Sequence, residues 1–298
     1  MAHRRYIQVF PPVAHYSEVF DCYRAASARL DWLSAETWAT WSADRPEWQD
    51  PDTTVVFWSY ISLPRILEMI PPKRSAAIAL RYSESIGEAD KLNPGLAEVL
   101  KIFMSGMGAF DAVLVGSPSA EKFLKPYCRK IAVDPIGYDP GVMGTPDWDR
   151  AKTHDLIFYG SPYGRREWIL PALQRHFGKR LLFVQKTIYG KKRKRLCDRC
   201  RATLYVGHSE EIAVPGFRIW QAVATSAALV TEAADAWPAV AGVHYVGIPT
   251  ARKDHMDEFI EGIEKALLLP LGAIARRAHA DLSKYTIEKD MEFVAAAL

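Results

Sequence analysis

Cysteine is scarce in this chain. Four of 298 residues, Cys22, Cys128, Cys197 and Cys200, are too few and too scattered for a disulfide framework. A reducing cytoplasm is therefore the default expectation. Long apolar runs are missing too, since nothing approaches the ~20 residues that a bilayer-spanning helix needs. Residues 1–10 hold two arginines and only a short apolar stretch before Pro11-Pro12, which reads as a first strand and loop and not as a signal peptide. A large charge imbalance is also lacking. A net charge of +3 does not by itself indicate a nucleic-acid partner. No short-period repeat or low-complexity stretch stands out.

What is present is the balance of a soluble globular protein, 49% hydrophobic and 24% charged, in a chain long enough for two domains. Short apolar runs at 6–10, 54–58, 76–80, 112–115 and 130–133 predict strands. Helical patterns fall from Ser17 towards Leu30, over 64–70 and over 94–107. Ser117-Pro118 starts a further helix, with a capping serine and an early proline. Three prolines and three glycines in 134–153 then predict a linker. The alternation restarts with strands at 156–159, 181–184, 204–206, 228–231 and 245–248. Helices are expected over 165–176, over 217–225 and from Asp254 onward, interrupted at Pro270 and Gly272. Strands alternating with helices imply an α/β class: two doubly wound Rossmann-like domains, each a parallel sheet covered on both faces. Ligands of such sheets sit beyond the carboxyl ends of the strands, and two facing crevices make one cleft.

The loops that follow those strands are the places to look for chemistry. Gly160-Ser161-Pro162-Tyr163-Gly164-Arg165-Arg166 lets backbone approach a ligand and sets arginine at a helix start, which suits a diphosphate. Pro215-Gly216-Phe217-Arg218 repeats the arrangement after the polar segment Gly207-His208-Ser209-Glu210-Glu211. Glu210 and Glu211 could accept hydrogen bonds from ribose hydroxyls. Thr231-Glu232 is a third polar turn. Each loop taken singly also reads as an ordinary strand–helix turn.

Other features carry weaker signals. Cys197-Asp198-Arg199-Cys200 has no second paired motif to complete a four-ligand zinc site, and only His208 could join it. Asp50-Pro51-Asp52 and Asp147-Trp148-Asp149 lie in proline-rich connections, so they read as solvated turn acids and no required metal is expected. Lys191, Lys192, Arg193, Lys194 and Arg195 form the densest charge run, a solvated helix face or a contact to phosphates. Trp32, Trp38, Trp41, Trp48 and Trp58 crowd the first half; tryptophan stacks on sugars and bases but is more often core. Trp41 is the one taken as a tentative acceptor or DNA contact, and Trp58 is expected in the core.

From Lys130 to Val246 the chain resembles the GT-B glycosyltransferases, in particular the bacterial and phage CgeB-like and group 1 type. The likeness rests on Pro135-Ile136-Gly137-Tyr138-Asp139-Pro140, Phe158-Tyr159-Gly160-Ser161 with Arg165, and Pro215-Gly216-Phe217-Arg218-Ile219-Trp220-Gln221-Ala222. Ala228-Leu229-Val230-Thr231-Glu232 completes it, with looser matches at Tyr82-Ser83-Glu84 and Phe110-Asp111-Ala112-Val113-Leu114. The resemblance implies an acceptor-side domain over 1–134, a nucleotide-sugar domain over 135–284, and a last helix over 285–298 that packs back on the first domain. It implies a donor site built from Gly160, Ser161, Arg165, Lys186, His208, Gly216, Phe217, Arg218 and Gln221. Gln221 stands where many relatives place a glutamate that binds the ribose diol. An inverting transfer would need a base, for which His15 and Glu84 are the candidates, whereas a retaining one would need neither. The expected activity is sugar transfer from a nucleotide sugar, UDP-linked, to an acceptor hydroxyl, with no cofactor beyond the donor. The alternatives are transfer to hydroxymethylated bases of duplex DNA, a non-catalytic nucleotide-sugar binder, or a nucleic-acid-binding module.

Overall fold

The computed structural model describes residues 4–12, 17–59, 63–82, 106–186, 188–207, 214, 216–232 and 235–298. They divide into two units. One holds the residues up to Val142 together with Tyr285–Leu298, and the other holds Met143–Lys284.

The first unit is built on six parallel strands: β1 Arg5–Phe10, β2 Leu33–Thr37, β3 Thr53–Ser59, β4 Ala77–Tyr82, β5 Ala112–Val115 and β6 Ile131–Val133. Their order is β2-β1-β3-β4-β5-β6. Val55, Val56, Phe57 and Trp58 are all wholly buried, as expected of a central strand covered on both faces. Trp58 is core. β2 is the strand that hydropathy misses. It is an edge strand in which only Leu33 is buried, so LSAET has no apolar run to announce it.

Helices among the described residues are α1 Ser17–Ser27, α2 Leu63–Glu68, α3 Pro118–Leu124, α4 Pro140–Met143, α5 Arg166–Phe177 and α6 Gly190–Cys197. They continue with α7 Gly216–Val223, α8 Met256–Leu267, α9 Leu271–Leu282 and α10 Ile287–Ala297. α1 buries Val19, Cys22, Tyr23 and Ala26, the spacing of one helical face. Ser117 caps α3 by accepting from the Ala120 N–H at 3.1 Å, with Pro118 in the first turn. The helix expected over 94–107 lies almost wholly outside the described residues.

The proline- and glycine-rich segment is not a solvated linker at its start. Asp134, Ile136, Tyr138 and Asp139 are buried. Tyr138 pairs with Thr286, and its N–H donates to the Tyr285 carbonyl at 2.8 Å. Gly137 is needed for this crossing, because a Cβ there would stand 2.5 Å from the Ile287 Cα. Tyr285–Leu298 thus belongs with the first unit, and α10 buries Ile287, Asp290, Met291 and Val294 on one face.

Asp290 is the ionisable member of that face, and its partners are equally buried. Arg81, at 1% exposure, donates from Nη2 to Asp290 Oδ1 at 2.9 Å and to Asp134, and from Nη1 to the Tyr23 hydroxyl at 2.5 Å. The Tyr23 hydroxyl donates in turn to Asp290. The Arg81 guanidinium lies 4.7 Å from the Trp58 ring centre, and Trp58 donates to Gln8 at 2.8 Å. A charge network therefore fastens α1, β4 and α10 inside an apolar unit.

The second unit repeats the plan. β7 His154–Tyr159, β8 Leu181–Val184, β9 Cys200–Tyr205, β10 Ala228–Glu232 and β11 Tyr245–Ile248 are parallel, in the order β11-β10-β9-β7-β8. Counted from its own first strand, each sheet places its second strand on one side and all later strands on the other. The winding reverses between β1 and β3 in the first sheet and between β7 and β9 in the second. Such reversal points are where open parallel sheets bind ligands.

Candidate functional site

β7 shows how the second sheet aims its loop. Successive side chains point to opposite faces. Leu156 and Phe158 enter the core that includes residues of α5, α8 and α9, while Ile157 and Tyr159 pack with Ile188, Cys197 and Cys200. The strand ends at Gly160, whose φ of +140° strains any residue with a Cβ. Space is not the constraint, since a Cβ there would be 3.6 Å from the nearest side-chain atom. The chain then turns at Gly164 into α5, with Arg165 as its N-cap residue.

Arg165 does not stand free. Its Nη2 lies 2.7 Å from Glu232 Oε1 and its Nη1 3.2 Å from Oε2, and Nη2 also donates to the Ala251 carbonyl at 2.5 Å. Glu232 also accepts the backbone N–H of Ala251 at 2.9 Å and of Gly207 at 3.3 Å. One carboxylate at the end of β10 therefore ties together the chain segments that follow β7, β9 and β11. The side chains are only 12% and 9% exposed, so both charges depend on the pair.

Arg166 and Arg218 complete the corner. Arg166 is buried, donates from Nε to the Val206 carbonyl at 2.8 Å, and lies 5.6 Å from the Phe158 ring centre and 5.9 Å from that of Tyr205. Arg218, on the first turn of α7, lies 4.9 Å from Tyr159, 5.3 Å from Phe217 and 5.6 Å from Tyr205. Its Nη1 donates to Gln221 Oε1 at 3.1 Å, and the same oxygen accepts from the Tyr159 hydroxyl at 3.0 Å. Burial pushes the Tyr159 phenol upward, and Arg218 beside it pulls it partly back. At the ends of β7 and β9, Arg218 thus lies on an aromatic floor of Tyr159, Tyr205 and Phe217, and Arg166 lies against Phe158 and Tyr205, with Arg165 next to it in sequence. Cation–aromatic stacking keeps a guanidinium charged while shielding its faces. Among the described residues this corner has the chemistry to hold an anion.

The other expected residues fall as follows. Gly160 is buried where β7 gives way to its loop and Gly216 at the start of α7, Phe217 is buried on the floor, and Ser161 is exposed on the first loop. Lys186 is exposed in the segment after β8. His15, Glu84, His208, Glu210 and Glu211 lie outside the described residues. Tyr159 and Tyr205 join the candidate site beside Glu232 of the third polar turn; the signal for the two tyrosines is an aromatic at the end of each strand flanking the reversal point.

The basic run is not one face. Arg193 is wholly buried and donates to the Gln221 carbonyl at 2.9 Å, and Lys194 pairs with Asp198 at 2.5 Å. Only Lys191, Lys192 and Arg195 are exposed. Trp41 does not present a stacking surface either. It is 4% exposed, edge-on to Trp48 at 5.5 Å, with Arg45 lying 4.8 Å from its ring centre. Cys197 and Cys200 are buried thiols, the latter donating to the Leu196 carbonyl, and burial pushes Cys200 up to about 12. Asp50 turns onto its own loop, accepting from Thr53 and Asp52, and Asp147 and Asp149 are exposed. No helix among the described residues is long and apolar enough to cross a membrane.

Solved structures share this architecture at low sequence identity. A sucrose-phosphate synthase from Thermosynechococcus elongatus superposes with a TM-score of 0.67 at 12% identity, over 98% of this chain and 98% of that one. HepE of Anabaena, in complex with UDP and glucose, gives 0.63 at 10% identity, over 97% and 98%. Both are glycosyltransferases with two Rossmann-like domains of the GT-B type. The chain has the GT-B fold. TarM gives a TM-score of 0.59 at 10% identity over 83% of this chain, which spans only 55% of the TarM chain. GT-B architecture at these identities is a statement about fold. No protein-family profile matches the sequence, and no curated protein matches it.

Proposed function

We propose that the chain is a glycosyltransferase that takes a sugar from a UDP-linked donor held by the second unit. The observation that carries this reading is the gathering of Arg165, Arg166 and Arg218 where the winding of the second sheet reverses. HepE, of the same fold, is known in complex with UDP and glucose. In the reaction, an acceptor oxygen forms a bond to the anomeric carbon as that carbon's bond to the diphosphate oxygen breaks. Negative charge then grows on the departing UDP.

Arg218, the backbone of the loop after Gly160 and the start of α7 meet that charge, an electrostatic contribution available before the reaction begins. Arg165 acts one step back. Locked to Glu232, it fixes the Gly160–Arg166 loop against the loops after β9 and β11. The aromatic floor limits water around Arg218 and strengthens its field. For an inverting transfer the acceptor proton passes to His15, which follows β1 in sequence, or to Glu84. In a retaining transfer it passes to the leaving phosphate.

Thermal unfolding with a panel of nucleotides and nucleotide sugars, without added metal, tests the reading. Ligand at 100 times its Kd adds about 2.7 kcal/mol, roughly 2 °C or more for a chain of this size. A selective rise with one UDP-sugar is expected, followed by UDP release when an acceptor is supplied. A rise without release under any acceptor would mark a binding protein of the same fold.

A further inference from the structure

Two arginines at the same end of the second sheet have opposite electrostatic surroundings. The charge of Arg165 is cancelled by Glu232, which it grips with both of its terminal nitrogens. Arg218 meets no carboxylate among the described residues. Its acceptor is the side-chain oxygen of Gln221, and its Nε is buried with no hydrogen-bond partner.

The orientation of Gln221 is fixed by chemistry. A guanidinium only donates, so the atom facing Arg218 is the amide oxygen. That oxygen also takes the Tyr159 hydroxyl at 3.0 Å, and Gln221 is 5% exposed. Held from two sides, it pins Arg218 over the Tyr159 and Tyr205 rings. A carboxylate in the same place would grip the guanidinium more strongly, but would also neutralise it and fill its donors.

We propose that Gln221 is a positioning residue that seats the Arg218 guanidinium without cancelling its charge, so that Arg218 stays open to the diphosphate of the donor. This rests on the reading of the second unit as the donor-binding one. The consequence is unusual in sign: replacing the amide with an acid strengthens the local contact and weakens ligand binding. A purely structural glutamine has the two effects running together.

The test is calorimetric titration of the intact chain with inorganic pyrophosphate and with UDP, at two salt concentrations, alongside thermal unfolding. Gln221→Glu should retain or raise the Tm, bind pyrophosphate at least tenfold more weakly, and show a shallower loss of affinity with salt. Gln221→Met, which keeps the Arg218 charge and loses the contacts to Arg218 and Tyr159, should lower the Tm yet stay within about fivefold of the parent affinity. Arg218→Gln removes the charge and should lose pyrophosphate binding. Should Gln221→Glu fail to fold, Gln221→Asp, which brings a carboxylate to the same place on a shorter side chain, takes its part in the titration with the same expected loss. Pyrophosphate affinity unchanged in Gln221→Glu, or lost equally in Gln221→Met, overturns the proposal, as does a parent protein that does not bind pyrophosphate. A parent that binds pyrophosphate but no nucleotide or nucleotide sugar leaves this inference standing and overturns the donor reading instead.

Discussion

Arg165 and Glu232 meet as a two-pronged ion pair at the carboxyl end of the second sheet, 67 residues apart in sequence and joined by contacts of 2.7 and 3.2 Å. Glu232 holds two backbone N–H groups besides. Glu232→Ala therefore leaves a shielded guanidinium and two amides without their acceptor. The expected loss is about 3–5 kcal/mol, read by urea unfolding, and should exceed that of Arg165→Ala combined with Glu232→Ala. Equal losses would mean that leaving the Arg165 charge unpaired carries no penalty.

A second prediction concerns the crossing of Gly137 over α10. A Cβ at Gly137 would fall 2.5 Å from the Ile287 Cα, whereas one at Gly108 would meet nothing within 4 Å. Gly137→Ala should destabilise by about 1–3 kcal/mol through forced displacement of backbone. Gly108→Ala should not, and the pair of Tm values checks the contrast.

The buried network of the first unit predicts a pH dependence with a definite sign. Burial, first, and the neighbouring Asp134 push Asp290 well above its ordinary 3.8, against the opposing pull of Arg81. An acid whose folded pKa is raised favours folding fully below its unfolded value, and that contribution is lost as pH rises through the folded value. Asp290→Asn, which stays neutral, should therefore cost least relative to the parent at neutral and higher pH and most near pH 4 and below. Difference curves of unfolding free energy against pH isolate this from carboxylates shifted the other way, such as Asp155 and Glu264, whose pairing with Arg180 lowers them.

The basic run makes a fourth prediction. Arg193 is buried and bonded to the Gln221 carbonyl, so Arg193→Ala should cost about 2 kcal/mol or more. Lys191→Gln on the same helix should stay within about 0.5 kcal/mol. Similar values for the two would contradict the burial of Arg193.

These contrasts show which parts of the molecule could be read from the sequence. The α/β class was legible because strands buried on both faces are short apolar runs, as in 156–159 and 112–115, and because glycine marks their exits. β2 escaped because an edge strand needs only one buried side chain. Trp41 and Arg193 illustrate a deeper limit. Composition allows a tryptophan to stack on ligand or to join the core, and suggests that the third of five consecutive cations is solvated, yet the burial of Trp41 and Arg193 depends on Trp48 and on a carbonyl 28 residues away. Arg165 reads locally as a phosphate ligand, and its pairing with the distant Glu232 has no local signal. The loops at the end of the second sheet were legible as places; the division of labour among their arginines was not.

The central claim is that the corner around Arg218 binds the diphosphate of a nucleotide sugar. Calorimetric titration of the parent and of Arg218→Ala with UDP and UDP-glucose tests it most directly, once both proteins are shown to be folded. The account predicts saturable binding by the parent and a loss of at least about tenfold in the variant, consistent with the removal of a charge-assisted contact. Equal affinity in the two proteins, or no binding by the folded parent at millimolar nucleotide, would contradict it.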